Sequence, residues 1–142
     1  MKTVKLIRRF DWVDRLYAYV EASRKESFAW GRCDCMTFSF DCITAVTGTD
    51  LTLPFRGKYH TAKGAHRTLR KVYKVDTLTG AMNKLFGNSI RPEEARRGDL
   101  MLIDTDLGET LGILLGKQII FVSPKGLSFL LWTKALKAWR IG

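Results

Sequence analysis

Residues 30–38 read Trp-Gly-Arg-Cys-Asp-Cys-Met-Thr-Phe and mark the start of a predicted buried helix. Asp34 stands where an N-cap side chain would accept hydrogen bonds from the first free backbone N–H groups. The apolar residues that follow recur at i, i+3, i+7 and i+11: Cys35, Phe38, Cys42 and Val46. This spacing places them on one helix face. Gly48 then suits the left-handed position that closes a helix, so the helix is predicted to begin at Cys35 and end before Gly48.

Three further helices are predicted around this one. The first begins after Asp11, a candidate N-cap, and its apolar residues recur at helical spacing. Those residues are Val13, Leu16, Tyr17 and Val20. Thr61 can cap a third helix, which has one apolar side and a largely basic outer side. A short fourth helix starts near Leu78 and stops at the Gly87-Asn88 pair.

The last third of the chain changes to short apolar runs separated by turn residues. The runs cover residues 100–103, 111–115, 118–122 and 127–132, and residues 138–141 are a candidate fifth strand. Gly and Pro stand in the intervening segments, where turns need them. Helices followed by a meandering antiparallel sheet are typical of an α+β domain. We therefore expect one α+β domain over residues 1–142, with N-terminal helices packed on a C-terminal antiparallel sheet or small open barrel.

Length and composition narrow the class of protein. A chain of 142 residues fits one domain, and 46% apolar residues exclude a disordered chain. No apolar run approaches the length of a membrane span, and charges at Arg8, Arg9 and Asp11 leave no apolar stretch for a signal peptide. The net charge of +10 favours an anionic partner. The cations are spread over several groups, however, which argues against specific nucleic-acid recognition.

The three cysteines fall within ten residues, at Cys33, Cys35 and Cys42. An odd number this close together is a poor disulfide framework and suits a reducing compartment. A metal site would need a fourth ligand, such as His60 or His66, and the spacing is a weak match to zinc sites. We therefore expect no metal or other cofactor, unless a partner chain completes a site.

Cys35 is the candidate nucleophile because of its position in the first turn of a helix. Free backbone N–H groups and the positive end of the helix dipole both favour a thiolate there. The same N–H groups could hold an oxyanion. The alternative is that Cys35 is a core residue, the commoner role of a cysteine on an apolar helix face.

Three segments resemble NlpC-type peptidases, which are papain-like cysteine enzymes. Residues 30–38 resemble the start of their catalytic helix, residues 97–102 the opening of their sheet, and residues 111–116 a strand that begins with their histidine. The resemblance implies a papain-like fold with Cys35 at the nucleophile position. It also places Thr110 where the general-base histidine would stand, and threonine cannot take a proton at neutral pH. His60 could replace that histidine as the base only if the chain followed an unusual path that brings it to Cys35.

The chain is also similar, over most of its length, to a group of small NlpC-like proteins encoded by tailed phages and prophages. The similar segments cover residues 28–32, 55–59, 61–65, 96–99 and 138–142. This resemblance implies a structural or assembly protein of the tail tip or baseplate, in the virion and, during assembly, in the host cytoplasm. Its partners would be other tail proteins, with peptidoglycan as a second candidate, and its peptidase activity would be lost or reduced.

Two alternatives stay open from the sequence. The first is an active cysteine hydrolase that uses Cys35 to cleave cell-wall peptide or to process a tail protein. The second, with less support, is a basic host-directed effector or nucleic-acid binder. An imidazole within hydrogen-bond reach of Cys35 would favour the hydrolase.

Overall fold

In a computed structural model, which describes residues 3–142, four α-helices precede the sheet. They are α1 (Trp12–Ser23), α2 (Cys35–Thr47), α3 (Ala62–Tyr73) and α4 (Leu78–Phe86). The side chains of Asp34, Thr61 and Thr77 cap the last three by accepting backbone N–H groups, as N-cap residues do. The prediction for Asp11 is wrong in one respect. Its carboxylate makes no cap hydrogen bond, because it instead pairs with Arg15 at 2.9 Å.

Five antiparallel strands follow in the order β4-β3-β2-β1-β5. They are β1 (Leu100–Thr105), β2 (Gly108–Leu115), β3 (Gln118–Ser123), β4 (Gly126–Leu131) and β5 (Lys137–Trp139). The sheet is open, with β4 and β5 at its two edges. The α+β class and the packing of helices on an antiparallel sheet are therefore confirmed. Among residues 3–142, no helix is long and apolar enough to cross a bilayer.

The end of the chain differs from the prediction in two places. Trp132 begins a 3-10 turn instead of ending β4, because the chain must leave this edge of the sheet to pair with β1 at the far edge. Arg140 and Ile141 lie beyond β5, where the Ile141 N–H group donates to the Asp99 carboxylate at 2.9 Å. The final strand is consequently short.

Apolar side chains cover both faces of the sheet. The larger core lies between the helices and one face, where α2 packs on β2 and β3. Phe38, Phe40 and Ile43 of α2 are buried there. A smaller core on the other face includes Met101, Ile119 and Phe121. This packing fixes the start of α2 against the middle of the sheet.

Arg8 joins the two ends of the chain to the turn before β1. Its guanidinium donates to the carbonyls of Ile141 and Arg97, both at 2.7 Å, and to the Asp99 carboxylate at 2.9 Å. Asp99 is completely buried and also accepts the N–H group of Arg96 at 2.8 Å. Asp99 therefore has a structural role, because its carboxylate holds the turn before β1 together with Arg8 and Ile141.

Candidate functional site

A cavity of about 360 Å³ lies at the start of α2, between α3, the residues leading into α4, and the β1–β2 hairpin. Cys35 and Thr110 both line it, so the structure brings together the two positions that the resemblance identified. Most of the remaining wall is apolar and includes Phe28, Trp30, Met36, Leu69, Leu107 and Val122. Val122 reaches the cavity from β3 and offers no polar group there.

Gly31 allows the chain to turn tightly before α2. Its φ is +82°, and a side chain there would overlap the Tyr59 carbonyl oxygen. Glycine adopts this conformation without a steric penalty. The Gly31 N–H group then donates to Asp34 at 2.8 Å, and the Gly31 carbonyl accepts the N–H group of Gly57 at 2.8 Å. The spacing of glycine and aspartate in this segment therefore has a structural cause.

Asp34 is a buried carboxylate with a full set of hydrogen bonds. It accepts the N–H groups of Met36 and Thr37, at 3.1 and 2.9 Å, in addition to that of Gly31. The Tyr59 hydroxyl donates to it at 2.5 Å. Burial, followed by the charge of Asp34, raises the pKa of Tyr59, so this phenol stays protonated. The pair closes one end of the cavity and leaves Asp34 no free lone pair for proton transfer.

The surroundings of Cys35 suppress its ionisation. Burial by the surrounding protein raises the pKa of the thiol to about 12, and the neighbouring Asp34 charge acts in the same direction. Hydrogen bonding from the backbone of Leu111, Met36 and Cys35 itself opposes these effects without overcoming them. The expectation that the helix start would favour a thiolate is therefore wrong. Desolvation is the larger effect, and Asp34 already binds the Met36 and Thr37 N–H groups.

Thr110 lies on β2 opposite Ile103 of β1, and its hydroxyl is engaged within that hairpin. The Thr110 Oγ1 is 3.0 Å from the Thr105 Oγ1 and donates to the Gly108 carbonyl at 3.2 Å. A hydroxyl cannot accept a proton from a thiol at neutral pH. Thr110 therefore serves as a polar part of the cavity wall.

The two histidines occupy different places. His66 lines the cavity, whereas His60 is exposed and does not contribute to its wall. The His66 Nε2 atom is 2.8 Å from the backbone carbonyl of Asp76, which selects the tautomer with the proton on Nε2. The predicted substitute base, His60, is thus placed outside the cavity, and the imidazole nearest to the site comes from α3.

The cysteines differ in burial. Cys42 is completely buried in the core, while Cys33 and Cys35 are half-buried, and all three are free thiols. Within residues 3–142, no group of three or more His, Cys, Asp or Glu side chains is arranged to hold a metal ion. Trp30 contributes to the cavity wall, and Trp139 is buried in the core.

Several residues of the cavity were not predicted from the sequence. Tyr59, Leu107, Asp76 and Glu109 all reach it from segments remote from Cys35. Tyr59 belongs to one of the segments that resemble phage proteins, and this was the one signal that could have drawn attention to it. For the others the sequence carries no signal, because loop packing alone brings them to the cavity.

Comparisons with known proteins give structural similarities and a family. No curated protein matches the chain in sequence. Among solved structures, the chain is similar to RipD (Rv1566c) from Mycobacterium tuberculosis, described as "a non-catalytic NlpC/p60 domain protein, adaptation to peptidoglycan-binding function". The TM-score is 0.47 at 15% identity, covering 92% of this chain and 98% of RipD. The family described as "Domain of unknown function (DUF6950)" matches residues 7–141, and the chain therefore belongs to that family.

Proposed function

We propose that this chain is a structural or assembly protein of a bacteriophage tail tip or baseplate, in which an NlpC-like cleft binds a partner without cleaving it. The phage setting is supported by the resemblance of its sequence segments to small tail-region proteins. The loss of cleavage is supported by the chemistry of the cavity. Binding is supported by the shape of the same cavity.

The observation that carries the non-catalytic assignment is the state of Cys35. A cysteine nucleophile needs a substantial thiolate fraction, a base within reach, or both. Burial raises the pKa of the Cys35 thiol to about 12, and the position of the base holds Thr110. The Asp34 carboxylate beside it is saturated with hydrogen bonds. Neither Thr110 nor Asp34 can therefore activate the thiol.

The cavity retains the properties of a binding site. Its volume of about 360 Å³ falls within the range of small-ligand pockets, roughly 300–1,000 Å³. The walls are mainly aromatic and aliphatic, and the cavity is preformed, so a ligand would not have to order them. An apolar side chain of a partner protein has a suitable size and character.

Complementation of a phage that lacks this gene tests the proposal. The Cys35→Ser variant should restore infectious particles as well as the unchanged chain does, because the sulfur performs no reaction. The Ala65→Trp variant, which fills the cavity from α3, should not restore them. Mass spectrometry of purified particles should detect the chain. Loss of infectivity with Cys35→Ser, or purified tails without the chain, would contradict the proposal.

A second candidate function rests on His66. This imidazole lines the cavity that contains Cys35, and its hydrogen bond to the Asp76 carbonyl leaves Nδ1 free to act as a base. A cysteine hydrolase that uses Cys35 and His66 would need both residues. In the complementation assay, His66→Gln should therefore have the same effect as Cys35→Ser under the hydrolase hypothesis. Under the binding hypothesis both variants should be functional.

A further inference from the structure

The outer side of α3 carries a stripe of cations. Its members are spaced by four, three and four residues: Lys63, Arg67, Arg70 and Lys74. At 3.6 residues per turn Lys63, Arg67 and Arg70 lie within one narrow face of α3, and Lys74 is the C-cap residue that follows the helix. All four side chains are exposed. We call this group the α3 stripe.

Most of the charge on the α3 stripe is not neutralised within the protein. Arg70 pairs with Asp76 at 2.8 Å. Among the described residues, no carboxylate pairs with Lys63, Arg67 or Lys74. The sequence between Asp50 and Asp76 contains no acidic residue. Like charges four residues apart destabilise a helix slightly, so this arrangement has a small cost in folding stability.

The α3 stripe adjoins the cavity. A shallow surface hollow is lined by Lys63, Arg67 and Arg70 together with Ala62 and His66. Ala62 and His66 also line the cavity beside Cys35. The apolar cavity and the cations of α3 are therefore parts of one continuous surface.

The β1–β2 hairpin contributes the opposite charge to the cavity wall. Glu109 lines the cavity on the β1–β2 hairpin, and Asp104 and Asp106 are exposed nearby on the same hairpin. A negatively charged ligand segment would be repelled on that side and attracted on the α3 side. The charges around the cavity thus give a bound chain a direction.

From this arrangement we propose that the site binds an extended acidic peptide segment of a partner protein. One apolar side chain of the segment fills the cavity, and carboxylates on the adjoining residues pair with the α3 stripe. This inference rests on the proposed binding function of the cleft and specifies its ligand. Alternate residues of an extended peptide are about 6.6 Å apart. Lys63 and Arg67 are about 6 Å apart along the helix axis, so the two spacings match.

A peptide agrees with both halves of the site better than a phosphate polymer does. A polyphosphate or a nucleic-acid backbone would satisfy the α3 stripe but has no aliphatic group for the cavity. Dependence on the apolar anchor is therefore the property that separates the two classes of ligand.

Fluorescence anisotropy with synthetic peptides tests the inference on the full-length chain. The probe has glutamates at alternate positions and one phenylalanine at its end, and its controls carry Gln in place of Glu or Gly in place of Phe. The expected order is strong binding of the probe and weak binding of both controls. The double variant Lys63→Glu/Arg67→Glu should bind the probe about tenfold more weakly at low salt, with a smaller difference at high salt.

Two protein variants serve as matched controls. Lys117→Glu/Lys137→Glu makes the same change in net charge on exposed turn and edge-strand residues, and it should bind the probe normally. Ala65→Trp should abolish binding while leaving the circular dichroism spectrum of the chain unchanged. Equal weakening by both charge-reversal pairs would overturn the inference, because it would reflect net charge alone.

The outcomes also separate this inference from the proposed function. If the Gln-substituted control peptide binds as well as the probe and only Ala65→Trp abolishes binding, the cleft binds peptides but the role of the α3 stripe is refuted. If inorganic polyphosphate binds to the α3 stripe and Ala65→Trp has no effect on either ligand, the acidic-peptide inference is refuted. Complementation by Ala65→Trp in the phage assay would refute the proposed function itself.

Discussion

The reactivity of Cys35 toward iodoacetamide is the measurement that most directly tests the physical argument. Burial raises the pKa of this thiol to about 12, whereas an ordinary cysteine titrates near 8.5. Alkylation requires the thiolate, so the rate depends on the fraction ionised and on the nucleophilicity of the ion. Replacing water by protein around the sulfur should therefore make Cys35 slow to react at neutral pH.

The size of the effect follows from the two pKa values. At about pH 8, roughly one quarter of an ordinary thiol is ionised but only about one part in ten thousand of Cys35. A more basic thiolate is also a better nucleophile, by about 25- to 60-fold for this difference in pKa. The two effects combine to make Cys35 about 40- to 100-fold slower than a free cysteine at that pH, before any steric restriction.

Peptide mapping by mass spectrometry allows the alkylation rate of each cysteine to be followed separately across the pH range. The rate at Cys35 should still be rising at about pH 11, close to the pKa of about 12. Cys42, which is completely buried, should stay unmodified as long as the chain is folded. In denaturant all three cysteines should titrate near 8.5, which provides the internal control.

A midpoint at neutral or acidic pH in the alkylation rate of Cys35 would refute this reasoning. If the Cys35 rate saturated below about pH 7, or exceeded that of a free cysteine there, the thiol would be activated. The hydrolase hypothesis with His66 would then replace the binding hypothesis. A rate that follows an ordinary titration near 8.5 would show that the sulfur is solvated and would equally contradict the inferred burial.

Three predictions concern stability and can be checked by urea denaturation. Asp99→Ala should lower the free energy of unfolding by about 3–5 kcal/mol, because it removes the buried carboxylate that pairs with Arg8. Its control is Asp11→Ala, which removes an exposed pair and should change the free energy of unfolding by less than about 1 kcal/mol. Gly31→Ala should lower the free energy of unfolding by about 1–3 kcal/mol or more, since the φ of Gly31 is +82° and the new side chain would overlap Tyr59. Gly57→Ala has open space around it and should lower the free energy of unfolding by about 1 kcal/mol. The pKa of Cys35 in the folded chain is raised to about 12, so the neutral thiol makes its full contribution to stability below about pH 8.5. This contribution is lost as the pH rises toward 12. In this range the free energy of unfolding of the unchanged chain should therefore fall by up to about 1.4 kcal/mol per pH unit more than that of Cys35→Ser. Parallel curves of stability against pH for the two proteins would contradict the raised pKa.

Much of the fold was predictable because its signals are local. Asp34 and Gly48 bound α2, and Thr61 begins α3, through hydrogen bonds and backbone angles that depend on residues within a few positions. The strands were predicted for the same reason, since apolar runs and turn residues alternate along the chain. The failures have a different origin. Asp11 has an alternative partner in Arg15, and Ile141 bonds to Asp99, which is distant in sequence.

The candidate site was predictable only in part. The sequence placed Cys35 at a helix start and Thr110 on a strand, and the structure brings both to one cavity. It gave no indication that Tyr59 would bind Asp34 or that His66, not His60, would line the cavity. These contacts depend on how α3 and the loop before it pack against α2.

The cysteine at the start of α2 shows the division most clearly. The sequence by itself determined its position in the first turn of a capped helix, because N-capping and helical periodicity are properties of neighbouring residues. Only the tertiary structure decided its chemistry. Ionisation depends on the loss of water around the sulfur, and that loss comes from side chains and strands far away in the sequence. A position that local rules associate with a reactive thiolate therefore holds a neutral thiol.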